Sequence, residues 1–96
     1  MRRRRTDRAD QYESRAYKEL QRRLAANVYR FREERGWSQE EAAHQSGMST
    51  RLLQRVEAEE VNITLTTLAR LCEGFGADVL RLFASRRASG RRRSAG

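Results

Sequence analysis

A chain of 96 residues holds one domain at most. Its single cysteine excludes an internal disulfide and favours a reducing compartment. No uncharged run exceeds Val61 to Ala69, far short of the roughly 20 apolar residues a membrane span needs, so no membrane partner is expected.

The net charge of +8 is concentrated at the two ends. Residues 1–8, with Arg2, Arg3, Arg4, Arg5 and Arg8 against Asp7, carry +4. Residues 86–96, with Arg86, Arg87, Arg91, Arg92 and Arg93, carry +5, so residues 9–85 sum to −1. Both ends are low in hydrophobicity and dense in charge, and are expected to be disordered: 1–8 as a basic N-terminal tail, 85–96 as a basic C-terminal tail. Such ends either attract polyanions, nucleic acid first, or serve as solubilising tails. No apolar segment follows Arg2–Arg5, which argues against export.

Between Ala9 and Arg35, apolar residues Tyr12, Ala16, Leu20, Leu24, Val28 and Phe31 recur every three or four positions, the spacing of one face of a helix. Gly36 is a natural stop. Ser38 then caps a second helix, and Ser38-Gln39-Glu40-Glu41 reads as a capping box. Gly47 supplies a turn. Ser49 caps a third helix, with Met48 placed to staple onto Leu53. Thr64 caps a fourth, with Ile63 opposite Leu68, and Gly74 and Gly76 end it. Asp78 caps a short fifth helix, with Ala77 before the cap and Leu82 at its fourth position. Alternating, β-branched runs are missing, so strands are not expected.

The second and third helices form the informative unit, 38–57. Ala42, Ser46, Met48, Leu53 and Val56 should face inward, and Ala43 should be small where the helices cross. The hydroxyl of Ser46 is expected to bond back to a helix carbonyl. Thr50, Arg51, Gln54 and Arg55 are left on one outward face, the geometry of a helix that enters the major groove of DNA.

From Leu24 to Phe83 the chain resembles the lambda-repressor-like, Cro/XRE family of helix-turn-helix domains. The residues that carry the likeness are Arg35-Gly36-Trp37-Ser38-Gln39-Glu40-Glu41-Ala42-Ala43, Gly47-Met48-Ser49, Val56-Glu57, Thr64-Leu65-Thr66-Thr67-Leu68 and Gly76-Ala77-Asp78-Val79-Leu80. The resemblance implies an all-α, five-helix DNA-binding domain over 9–84, here with an N-terminal helical extension, and a third helix (about 50–57) that reads DNA. It implies that Gln39 reaches a phosphate, that Thr50, Arg51 and Arg55 read bases, and that Gln54 lies at their flank. Helix N-termini favour phosphate near Gln39 and Ser49. Glu57 resembles the family glutamate that pairs with an arginine of the first helix, and Arg32 stands at the matching position. Two departures stand out. Ala58-Glu59-Glu60 follows the third helix where the family usually has glycine, and Ile63 replaces a common proline. Glu59 and Glu60 would repel a nearby phosphate, whereas Asn62 could donate to one. The tail arginines Arg2, Arg3, Arg4, Arg5, Arg91, Arg92 and Arg93 are expected to follow the DNA backbone or enter a narrow minor groove.

Catalytic and metal chemistry find no support. His44 has no second histidine or cysteine spaced to share a metal, so no metal and no cofactor are expected. Glu40–Glu41 and Glu59–Glu60 are sequence neighbours and do not face each other on a helix. Cys72 reads as a small buried hydrophobe among Leu68, Leu71 and Phe75. Trp37 reads as packing over the start of the second helix.

The function expected is therefore a sequence-specific transcriptional regulator that binds double-stranded DNA as a homodimer in the cytoplasm. Its candidate dimer surfaces are Tyr12, Ala16 and Leu20, or Val79, Leu80, Leu82 and Phe83. The alternative is a helix-turn-helix module that has abandoned DNA for a protein partner, motivated by Glu59 and Glu60. RNA binding by the arginine ends ranks last, because exposed aromatics for base stacking are lacking.

Overall fold

Ser14 opens the first helix: its hydroxyl accepts the Tyr17 N–H at 3.0 Å. The computed structural model describes residues 14–85, and these hold five helices and no strand. They are α1 (Arg15–Arg35), α2 (Gln39–Gln45), α3 (Thr50–Glu57), α4 (Leu65–Phe75) and α5 (Val79–Leu82). Tyr12 and both arginine tails lie outside the described residues. No helix among those described is long and apolar enough to cross a membrane.

Every helix starts on a side-chain cap. Ser14, Ser38, Ser49, Thr64 and Asp78 each accept the backbone N–H three residues on, so one donor that the helix cannot satisfy internally is covered. Only one half of the box at Ser38 forms this way. Its hydroxyl takes the Glu41 N–H at 3.0 Å, while the Glu41 carboxylate accepts from Gln45 Nε2 at 2.7 Å.

The core is built on α1. Leu24, Val28 and Phe31 lie on one stripe and are buried against Leu53 and Val56 of α3, Ala42 and Ala43 of α2, Leu71 and Phe75 of α4, and Leu82 of α5. Asn27 is buried beside them. Its Nδ2 donates to the carbonyls of Leu82 at 2.8 Å and Ala84 at 3.0 Å, which ties the end of α5 to α1. The apolar stripe of α1 outruns the core: Ala16 is exposed and Leu20 is 50% exposed. At the other end, Phe75 packs on Phe31 (5.8 Å between rings) and on Trp37 (5.6 Å). The Arg35 guanidinium lies over all three rings and donates to the carbonyls of Phe31 and Phe75. Cys72 is partly buried against this core, and burial pushes its thiol pKa up.

Two expectations about the last helices need correction. Leu82 is fully buried and cannot belong to a subunit surface; the short α5 ends before Phe83 and leaves Val79 and Leu80 exposed. Gly74 does not end α4, which runs on to Phe75 and stops at Gly76. Gly74 is instead where α4 crosses the end of α2. A Cβ there would stand 2.2 Å from Ser46 Oγ and 2.7 Å from Ser46 Cα. The buried Ser46 hydroxyl has no hydrogen-bond partner among the described residues, so it does not bond back to a carbonyl.

Four helices end in one pattern. The chain passes through a residue with left-handed backbone, and the following N–H returns to a carbonyl five residues earlier. Trp37 reaches Arg32 (3.0 Å), Met48 reaches Ala43 (3.0 Å), Glu60 reaches Arg55 (2.9 Å) and Ala77 reaches Cys72 (3.0 Å). The left-handed residue is Gly36, Gly47 and Gly76 in three cases, with φ of 67°, 66° and 66°, and Glu59 in the fourth, with φ of 61°. The departure after α3 is thus one of residue type and not of backbone shape. A residue with a Cβ costs roughly 1–2 kcal/mol in this region, against roughly 0.5–1 kcal/mol of extra chain entropy lost by glycine. Glu59→Gly is expected to stabilise the fold by about 0.5–1 kcal/mol. A thermal melt should rise by several degrees; an unchanged or lower midpoint would contradict strain at Glu59.

Candidate functional site

The outward face of α3 is set by what α3 buries. Leu53 and Val56 are in the core, three residues apart, and Leu52 is partly buried. The opposite side then carries Arg51, Gln54 and Arg55, all exposed, with Thr50 half-buried at the first turn. Ser49 is exposed at the cap, its hydroxyl accepting the Leu52 N–H at 3.1 Å. The turn that aims α3 depends on Gly47, and Arg70 of α4 braces it by donating to the Gly47 carbonyl at 3.2 Å.

Charge pairing distinguishes the exposed arginines of α3 from five of the arginines of α1. On α1, Arg22 and Arg23 pair with Glu19, Arg30 and Arg35 approach Glu34, and Arg32 pairs with Glu57. Arg51 and Arg55 have no carboxylate partner among the described residues; Arg55 makes only a long bond, 3.4 Å, to the Glu60 carbonyl. Two cations at i and i+4 on one helix face repel each other slightly. An anion docked on that face would relieve the repulsion.

The rear of α3 is fixed by an ion pair. Arg32 Nε donates to Glu57 Oε2 at 2.7 Å, and Nη2 donates to Oε1 at 3.0 Å. The two side chains are 12% and 9% exposed. Hydrogen bonding to Glu57 raises the Arg32 pKa above its already high ordinary value. Arg32 also donates to the Trp37 carbonyl at 3.1 Å, so one guanidinium joins α1, the approach to α2 and the last turn of α3. Removing one partner of so enclosed a pair leaves a charge uncompensated.

Gln39, at the first position of α2, does not point freely to solvent. Its Nε2 donates to Glu57 Oε1 at 3.0 Å and its Oε1 accepts from Gln54 Nε2 at 3.3 Å. Sequence reasoning assigned these three residues separate roles and missed that they touch, because the contacts bridge 15 and 18 positions of chain. Asn62 is exposed between the partly buried Val61 and Ile63. Glu59 and Glu60 are exposed directly after α3, at the end of the same face. His44 is exposed, and no group of acidic, histidine or cysteine side chains able to hold a metal occurs among the described residues. The tail candidates Arg2, Arg3, Arg4, Arg5, Arg91, Arg92 and Arg93 lie outside those residues.

Known proteins share the family and the fold. A helix-turn-helix family model matches residues 28–82, which contain all of α2, α3, α4 and α5. A hypothetical transcription factor from Neisseria meningitidis is 36% identical over 59 residues, an alignment that takes in 62% of this chain and 56% of that protein. The chain thus spans little more than half the length of that relative. The crystal structure of a hypothetical transcription factor from Neisseria superposes with a TM-score of 0.70 at 30% identity, covering 75% of this chain and 83% of the other.

Proposed function

The chain belongs to the helix-turn-helix family of the Cro/C1 type, and from that premise we propose that it is a sequence-specific DNA-binding transcriptional regulator. It acts by binding and not by catalysis. In this reading α3 enters the major groove. Arg51 and Arg55 donate to guanine O6 and N7, and Thr50 touches a thymine methyl or a phosphate. Ser49 and Asn62 meet the backbone at the rims, and the first turn of α2 offers its positive end to a phosphate near Gln39.

The observation that carries this reading is the contrast in pairing. Five arginines of α1, Arg22, Arg23, Arg30, Arg32 and Arg35, lie within reach of carboxylates, whereas the two on the exposed face of α3 do not. Exposed Leu65 (82%), Leu80 (78%) and Leu20 (50%) support a homodimer. Such a dimer would set two copies of α3 roughly 34 Å apart on a palindromic site. The arginine tails add affinity without sequence preference, so deletion of residues 1–8 weakens binding to all duplexes alike.

Selection from a randomised duplex pool tests the proposal. One motif with two-fold symmetry is expected, with affinity falling in salt by a slope of roughly −0.9 per phosphate neutralised. Equal binding to every duplex, with no base enriched at any position, would overturn it. Glu59 and Glu60 favour the second reading, a module that docks on protein, and co-purification of a partner by a chain indifferent to DNA would establish that instead.

A further inference from the structure

An apolar groove lies between the first half of α1 and the loop that joins α3 to α4. Its walls include Leu20 and Leu24 of α1, Val61 and Ile63 of the loop, Leu68 of α4 and Phe83 after α5, and no charged side chain lines it among the described residues. Its volume is about 200 Å³. Leu65, the first residue of α4, belongs to the same groove and is 82% exposed, so it stands at the mouth and projects into solvent. A recess and a protruding leucine therefore sit side by side on one surface. That is the requirement for self-complementary contact about a two-fold axis, where each copy offers the other both a knob and a hole. An apolar cavity of roughly 150 Å³ accepts benzene, so this groove has room for a leucine side chain. Leu80, 78% exposed, is not among its walls.

We propose that this groove is the seam of the homodimer, and that Leu65 of each copy seats in the groove of the other, against Leu20 and Phe83. This rests on the homodimer reading above. Charge selects a second copy as the occupant. Residues 15–23 carry Arg15, Lys18, Arg22 and Arg23 against Glu19, a net +3. Residues 58–68, which carry Leu65, hold Glu59 and Glu60 and no basic residue, a net −2. Two-fold exchange sets the acidic segment of each copy on the basic segment of the other, which favours this docking over a wrong one. Glu59 and Glu60, which would repel a phosphate, meet arginine and lysine there instead. The segments 15–24 and 59–68, with Phe83, also supply roughly the 20 residues a side of a standard interface. Leu20 and Phe83, which belong to separate stretches of sequence, thus serve one surface, and Leu80 stays outside it.

The test is sedimentation equilibrium of the full chain, as wild type and as Leu65→Asp, Leu20→Asp and Leu80→Asp, with a thermal melt of each. Wild type is expected to dimerise. Leu65→Asp and Leu20→Asp should each raise the dimer dissociation constant about 100-fold or more, because the two-fold axis makes every lost leucine contact count twice. Leu80→Asp should change it by less than about two-fold, as an exposed substitution away from the seam. Leu65 is already in solvent, and an acid in the first turn of a helix is favourable, so Leu65→Asp should keep its melting midpoint and provides the readout if Leu20→Asp does not fold. A dimer that Leu80→Asp breaks and Leu65→Asp leaves intact would overturn this proposal alone, and so would a dimer indifferent to all three variants. A wild-type chain that is monomeric at every concentration would overturn the homodimer reading and this proposal together, leaving the groove to another protein or to an apolar ligand.

Discussion

Gly74→Ala is expected to lower the thermal midpoint by about 10 °C, the equivalent of roughly 1–3 kcal/mol in a domain this small. The sign is what makes the experiment informative. Gly74 lies inside α4 with ordinary helical backbone, and in an open helix alanine would be the better residue by about 1 kcal/mol. Here the added Cβ would meet Ser46 Oγ at 2.2 Å and Ser46 Cα at 2.7 Å. A side chain can rotate away from such a contact; a backbone carbon moves only if α2 moves. Since α2 carries Gln39 and packs against α3, the displacement would also disturb the outward face of α3. Circular dichroism against temperature measures the effect, and a midpoint that rises would mean the two helices are not in close contact at this position.

Replacing both Arg51 and Arg55 with alanine is expected to reduce affinity for the selected site by roughly 10²–10⁴-fold, since each bidentate arginine–guanine contact is worth about 1–3 kcal/mol. Affinity for unrelated duplexes should fall far less, because those complexes depend on phosphate contacts spread over the protein. Both side chains are exposed, so the fold should keep its stability to within about 0.5 kcal/mol. Gel shifts with the selected site and a scrambled duplex, beside a thermal melt, separate these effects. Equal losses on the two duplexes would reduce the arginines to backbone contacts.

Much of this was legible in the sequence because short-range chemistry governs it. Ser38, Ser49, Thr64 and Asp78 act on N–H groups three residues away, and the spacing of Leu53 and Val56 fixes which side of α3 stays outside. What was not legible depends on residues distant in the chain. Gly74 and Gly76 look alike as helix stops, and only the position of Ser46 tells a packing glycine from a terminating one. The left-handed turn at Glu59 is unreadable from residue preference, which argues against an acidic side chain there, yet the backbone follows the pattern of Gly36, Gly47 and Gly76. Leu20 fits the apolar repeat of α1 and is still half exposed, because it lines an open groove with Val61, Ile63, Leu68 and Phe83 instead of the closed core. Around the candidate interface, outward placement of Arg51 and Arg55 follows from periodicity. The Gln39–Gln54 and Gln39–Glu57 bonds depend on how α2 crosses α3, which no local pattern encodes.

Entry of α3 into the major groove is tested most directly by methylation interference on the selected duplex, because dimethyl sulfate marks guanine N7 in the major groove and adenine N3 in the minor groove. Methylation at guanine N7 within each half-site should block binding by the wild-type chain, and Arg51→Ala should become insensitive to one of those guanines. Interference confined to adenine N3, with every guanine N7 freely methylated in bound DNA, would contradict the account.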